Sequence, residues 1–309
     1  MNATHKLDHQ NLLKIALFLT MAFSIIVGSS KSMNPATTVP FNPDTLLIFV
    51  PVKLDGNGPF TFIIDTGAMA SLINKTLANK LQAEKQEYQG MAMGFGKAKK
   101  EQEVDSLKIF RISFDTLEIG TLKHYDFKPF IMDISHIADA IGSPVDGVIG
   151  FDVLRNYEVV INYRSGEIIF NPLPEKPETT GTTFELFMNH VYVPARVAGK
   201  NFPFLLDTGA SHCVLSSLLV DSLGLAPQLR PSRIDTLVGA SGSGGEIRTY
   251  ILDSLTIASR TVENIEIALV DLSPFSSVLG REIYGVVGHN FLRQFKLVIN
   301  YRDMKIYLE

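Results

Sequence analysis

Two aspartates stand out by their surroundings. Asp65 follows Phe62-Ile63-Ile64 and precedes Thr66-Gly67-Ala68; Asp207 follows Phe204-Leu205-Leu206 and precedes Thr208-Gly209-Ala210. Three consecutive apolar residues suit a buried strand, and a carboxylate set at its end costs free energy unless something pairs with it. Gly67 and Gly209 let the chain turn tightly and bring backbone N–H groups close to the carboxylate. Thr66 and Thr208 add hydroxyls able to bond across to an opposite copy. One Asp-Thr-Gly arises by chance in turns; two at equivalent places in one chain are a much stronger signal. Carboxylates in contact cannot both ionise cheaply, so they share a proton and titrate as a unit. The charged member can then take a proton from water while the neutral one protonates a carbonyl oxygen. That is equipment for hydrolysing an amide without a metal or a covalent intermediate.

Whatever brings the two together must be built twice, and the chain is. Val160-Ile161-Asn162-Tyr163-Arg164 recurs as Val298-Ile299-Asn300-Tyr301-Arg302, 138 positions on. Gly147-Val148-Ile149-Gly150 with Leu154-Arg155 matches Gly285-Val286-Val287-Gly288 with Leu292-Arg293, and Val50-Pro51 matches Val193-Pro194. Ordered matches at nearly one spacing mark an internal duplication. The reading is a first lobe over 41–172, a linker over 173–183 rich in Pro, Thr and Gly, and a second lobe over 184–309. Residues 31–40, with Pro35 and Pro40, read as a loose leader. Similar lobes packed about an approximate two-fold axis would set Asp65 and Asp207 face to face.

The local pattern is mostly strand. Short β-branched and aromatic runs at 47–52, 60–64, 159–163 and 168–170 recur at 191–197, 202–206, 296–301 and 305–308. Helix is expected over 71–81, where Leu72, Ile73, Leu77 and Leu81 share a face, over 216–223, and briefly near Phe151 and Asn290. Many short strands and few helices predict an all-β chain of closed or barrel-like lobes.

With these residues in view, the two halves resemble the retropepsin-type lobes of the pepsin-like aspartic peptidases. The family pattern, two apolar residues before Asp-Thr/Ser-Gly and a later apolar-apolar-Gly, occurs twice. Its copies are Ile63-Ile64-Asp65-Thr66-Gly67 with Val148-Ile149-Gly150, and Leu205-Leu206-Asp207-Thr208-Gly209 with Val286-Val287-Gly288. The resemblance implies two β-barrel lobes with a cleft between them, a peptide or protein substrate, and catalysis by Asp65 and Asp207. Thr66, Gly67, Thr208 and Gly209 would support the catalytic loops, with Gly150 and Gly288 threading beneath them. It also implies a glycine-tipped flap, for which Gly94 and Gly96 in the first lobe and Gly242 and Gly244 in the second are the candidates. One departure is Ala at 68 and 210, where pepsin-type lobes often carry a hydroxyl. Without that donor to the charged form the pair should titrate higher, moving the optimum toward mildly acidic pH. Two alternatives stay open: a peptidase active only as a dimer of like lobes, and a silent relative that holds extended peptides by strand addition.

Other chemistries fit less well. A net charge of −4 gives no basic footprint for nucleic acid. The seven histidines show no ligand spacing, so no metal or cofactor is expected. His212 and Cys213 are neighbours on a strand and point to opposite faces, which suits packing better than a nucleophilic pair. No Lys-Ser/Thr follows the glycines near 242, so a phosphate loop fails. A single cysteine allows no internal disulfide. Residues 1–30 carry Lys6 and Lys14, an uncharged apolar run over 15–27, then Gly28-Ser29-Ser30. That is the layout of an export signal, or of an uncleaved N-terminal anchor, and it predicts a periplasmic or extracellular protein.

Overall fold

A computed structural model describes residues 35–82, 84–88, 109–173, 179–238 and 244–309. The proposed signal lies outside them, as do the flap candidates Gly94, Gly96 and Gly242. Among the described residues no helix is long and apolar enough to cross a membrane.

Each half is a curled sheet. In the first, strand Asn57–Ile64 lies between Ile48–Leu54 and Gly147–Ile149, and the sheet runs on through Leu72–Asn74, Phe130–Met132, Ile109–Ile112 and Lys85–Tyr88. Past Ile48–Leu54 it continues to Phe114–Ile119 and Leu122–Phe127. Because Ile109–Ile112 and Phe114–Ile119 are nearly continuous in sequence yet sit in distant parts of the sheet, the sheet wraps back on itself. The second half repeats this around Lys200–Leu206, and there the pairing of Ala195 with Ile257 closes the curl.

The apolar triplets before the aspartates are continuous because both faces of their strands are covered. Phe62 and Ile64 point into the main core with Phe204 and Leu206. Ile63 points the other way, into a separate apolar cluster with Met69, Leu72, Phe130 and Val148. Leu205 does the same in the second half, with Tyr192, Val214, Ala268 and Val286.

A third sheet joins the halves. Its order is Thr37–Pro40, Glu167–Pro172, Tyr157–Asn162, Lys296–Asn300, Lys305–Leu308, Thr182–Thr183. At its centre the two strands that carry the repeated pentapeptide pair with each other: Val160 faces Val298, with Val159 opposite Ile299 and Ile161 opposite Leu297. A residue pairs with its own repeat equivalent only where the two-fold axis passes, so the axis runs between Val160 and Val298. Two expectations are corrected here. The leader is not loose throughout, since Thr37–Pro40 is a strand with Thr37 and Val39 turned inward against Glu167–Pro172. The linker likewise ends in a strand, Thr182–Thr183 on Lys305–Leu308.

The helices are short. Of the helix expected over 71–81 only Lys75–Lys80 is helical, capped by the Asn74 side chain on the Thr76 N–H at 3.2 Å. Leu72 and Ile73 belong to strand Leu72–Asn74, which is pinned to Gly147–Ile149 on one side and Phe130–Met132 on the other. Ser217–Leu223, Phe151–Leu154 and His289–Leu292 are helical, as expected; Ser135–Ile141 and Ser273–Leu279 are two helices the sequence did not announce.

Candidate active site

The two Asp-Thr-Gly loops meet on the axis. Thr66 Oγ1 donates to the Leu206 carbonyl at 2.9 Å and accepts from the Thr208 N–H at 3.0 Å. Thr208 Oγ1 donates to the Ile64 carbonyl at 3.0 Å and accepts from the Thr66 N–H at 3.0 Å. Each threonine thus satisfies backbone groups of the opposite loop, and four cross-lobe bonds fix the approach. Each loop is also anchored to its own lobe, by Asp65 N–H on the Ile149 carbonyl and Asp207 N–H on the Val287 carbonyl, both at 3.0 Å.

The carboxyls end up together. Gly67 N–H donates to Asp65 Oδ1 and Gly209 N–H to Asp207 Oδ1, each at 2.8 Å. A Cβ on Gly67 would lie 2.5 Å from Asp207 Cγ, and one on Gly209 2.8 Å from Asp65 Cγ. Each glycine is therefore required by the other lobe's aspartate. Asp65 is 2% exposed and Asp207 3%. Burial is the largest influence on both and raises both; Asp207 is pushed up to about 6. Asp65 is raised further by the Asp207 charge and by a hydrogen bond between the two side chains, which favours the proton on Asp65. Between them the pair can hold one proton where isolated carboxylates would hold none.

Gly150 and Gly288 lie under the loops. A Cβ on Gly150 would fall 2.8 Å from the Ala68 carbonyl oxygen, and one on Gly288 would collide with the His212 backbone. Just beyond them, Phe151 N–H donates to the Ala68 carbonyl at 2.9 Å and His289 N–H to the Ala210 carbonyl at 2.7 Å. The flap candidates can be placed only by their stems. Lys85–Tyr88 pairs antiparallel with Ile109–Ile112, and Arg230–Val238 with Gly244–Ile257, while Gly94, Gly96 and Gly242 themselves lie outside the described residues. Gly244 opens the second of these strands, opposite Val238.

Several residues near the pair were given no part in the site by the sequence. Asp152 Oδ1 accepts from Ser71 N–H at 2.8 Å and Ser71 Oγ at 2.7 Å, and Ser71 Oγ accepts from Gly150 N–H at 3.0 Å. The second half repeats the motif with other side chains: Asn290 Oδ1 accepts from Cys213 N–H at 2.8 Å, and Cys213 Sγ from Gly288 N–H at 3.4 Å. The duplication offset, applied to Ser71 and Asp152, would have found both. Tyr163 and Tyr301, last but one in the repeated pentapeptides, cross over: Tyr163 packs edge-on against His289 at 5.2 Å and Tyr301 against Phe151 at 5.7 Å. Burial raises both phenols, and each is raised further by the opposite lobe's aspartate, Tyr163 by Asp207 and Tyr301 by Asp65. Cys213 opens strand Cys213–Ser216 and is buried, its thiol pushed up to about 12, while His212 lies in the bend before that strand rather than on it and joins a polar group with Ser211, Arg233 and Glu266.

Two segments of the chain, 50–153 and 193–291, match the family model of the aspartyl proteases. The chain belongs to that family. The matches fall on the two curled sheets and each includes one Asp-Thr-Gly. Among solved structures, a retropepsin-like aspartic protease from Rickettsia conorii is similar at 22% identity, over 37% of this chain and 76% of that one, with a TM-score of 0.26. No curated protein matches the chain.

Proposed function

We propose that this member of the family is an aspartic endopeptidase in which Asp65 and Asp207 act as one unit. The observation that carries the reading is the reciprocal fit of each loop glycine against the other lobe's carboxyl. With one proton on the pair, the ionised carboxyl, favoured at Asp207, takes a proton from a water as that water attacks the peptide carbonyl carbon. The neutral carboxyl, favoured at Asp65, gives its proton to the carbonyl oxygen. As the tetrahedral adduct collapses, Asp207 gives the proton it gained to the nitrogen while the C–N bond breaks, and Asp65 takes a hydroxyl proton of the adduct as the new carbonyl forms, so the pair again holds one proton. Since Asp207 is raised to about 6, the singly protonated pair is populated from about that pH upward, consistent with an optimum far from strongly acidic pH. Export through residues 1–30 belongs to the same proposal and is tested by N-terminal sequencing of the protein recovered outside the cytoplasm.

The deciding experiment is cleavage of a mixed peptide library between pH 3 and pH 8 by wild type, Asp65→Asn and Asp207→Asn. Cutting by wild type with both variants dead is the expected result. Activity surviving in one variant would instead make a dimer of like lobes the better description. Peptide binding without cutting would leave a silent relative.

A further inference from the structure

Lobe two reaches over to the Asp-Thr-Gly loop of lobe one, and the reach is not returned. Met188 and Asn189 form a two-residue turn between Glu185–Phe187 and His190–Val197, with φ of 49° and 63°. Two consecutive positive φ values match the twist of a tight hairpin, but neither residue is glycine, so surrounding contacts must hold the turn. Met188 packs against the apolar clusters of both lobes, and Asn189 Nδ2 donates to the Met69 carbonyl at 3.4 Å. His190 follows, 2% exposed, with the Gly67 carbonyl as the backbone group that bears on its ring and the Tyr192 ring 6.4 Å away. Neither His190 nitrogen has a hydrogen-bond partner. In lobe one the repeat equivalents are Leu46, which is 51% exposed, and Leu47, which offers no donor.

The carbonyl beside His190 belongs to a consequential peptide unit. Its N–H, on Ala68, donates to the Asp65 main-chain carbonyl at 3.3 Å and lies close enough to the Asp65 carboxyl to favour its ionised form. A donor on the carbonyl of that unit would polarise it and strengthen the N–H. Hydrogen bonds around such sites are often open in the free protein and close only when substrate is bound.

We propose that His190 is a positioning residue: in the substrate-bound protein its ring N–H donates to the Gly67 carbonyl and, through the Gly67–Ala68 peptide, tunes the proton affinity of the aspartate pair. The inference rests on the peptidase reading. Burial holds the imidazole down at about 4, so it stays neutral while the pair titrates. No charged side chain contributes to that shift, whose causes are burial and the Gly67 carbonyl. The titratable groups bearing on the pair from the crossing strands are Tyr163 and Tyr301, whose raised values keep them neutral as well.

The test compares wild type with His190→Leu, which copies lobe one, and His190→Gln, which keeps an N–H. The pair is titrated by the 13C resonances of its carboxyl carbons with a substrate-like peptide bound, and the pH profiles of kcat and kcat/KM are recorded. In His190→Leu the first titration should rise by roughly half a unit and kcat fall roughly tenfold with little change in KM, the scale of one lost hydrogen bond. His190→Gln should recover most of both. Unmoved titration and kcat in His190→Leu would overturn the proposal, and so would equal shifts in the Leu and Gln variants, which would mean packing alone. If the Leu variant does not fold, His190→Met supplies the volume without the N–H and is judged by the same outcomes. If wild type cuts no peptide, the peptidase reading falls while the carboxyl titration still decides the role of His190.

Discussion

Replacing Asp207 by asparagine should make the protein more stable, and only at neutral and alkaline pH. Asp207 is raised from the ordinary 3.8 to about 6, so the folded state holds its proton more tightly than the unfolded chain does. The stability this gives is fully present below pH 3.8 and is lost as pH rises through 6. A shift of about two units corresponds to about 3 kcal/mol at 1.36 kcal/mol per unit. Asparagine keeps the Oδ1 that accepts from Gly209 N–H but carries no charge, so that loss disappears. Relief of Asp65, which is raised in part by the Asp207 charge, acts in the same direction. Urea denaturation of wild type and Asp207→Asn at pH 4 and pH 8 provides the comparison. A gain of about 3 kcal/mol at pH 8 and almost none at pH 4 is expected. An equal gain at both pH values, or a loss at pH 8, would refute the reasoning, because the aspartates would then not be held together in a site that opposes their ionisation.

Thr66→Val removes the hydroxyl but keeps the shape, leaving the Leu206 carbonyl and the Thr208 N–H without their partner; it should cost about 2–4 kcal/mol by denaturant unfolding. Thr208→Val should behave alike, and the double variant should fall short of the sum because the two hydroxyls serve one network. His289, whose buried imidazole is lowered to about 4, stands where lobe one has Phe151. His289→Phe should therefore raise stability as pH falls from 6.5 toward 4 and have little pH-dependent effect above 7, as read from melting temperatures across that range. Cys213, buried with its thiol pushed up to about 12, should react with a disulfide reagent only as fast as the protein opens. Rapid labelling of the native protein would contradict its placement.

What the sequence could and could not reveal follows from the range of each interaction. The Asp-Thr-Gly loops were legible because their requirements are local and stated twice. The triplets before them were legible as buried strands because cover on both faces leaves no room for polar residues. Leu72 and Ile73 misled, since Leu72, Ile73, Leu77 and Leu81 suit a helix face. Strand pairing at 72–74 with two distant neighbours overrides that local preference. Thr37–Pro40 looked unstructured because its partner, Glu167–Pro172, is far along the chain and a four-residue strand ending in proline carries little signal of its own. The repeated pentapeptide announced a duplication, but not that the strands carrying its two copies pair with each other at Val160 and Val298. His190 could not be picked from seven histidines without knowing that its lobe leans on the other.

The sheet that joins the halves also sets an order of events when the chain is made. Synthesis runs from Asp65 to Asp207 and only later reaches Lys296–Asn300, the strand that pairs with Tyr157–Asn162 across the axis. A chain synthesised as far as residue 295 already carries both aspartates, yet the platform that sets one lobe against the other is still missing. Contacts this far apart in sequence form slowly, after local ones. Translation order thus makes the strand pair across the axis one of the last contacts that the growing chain can form.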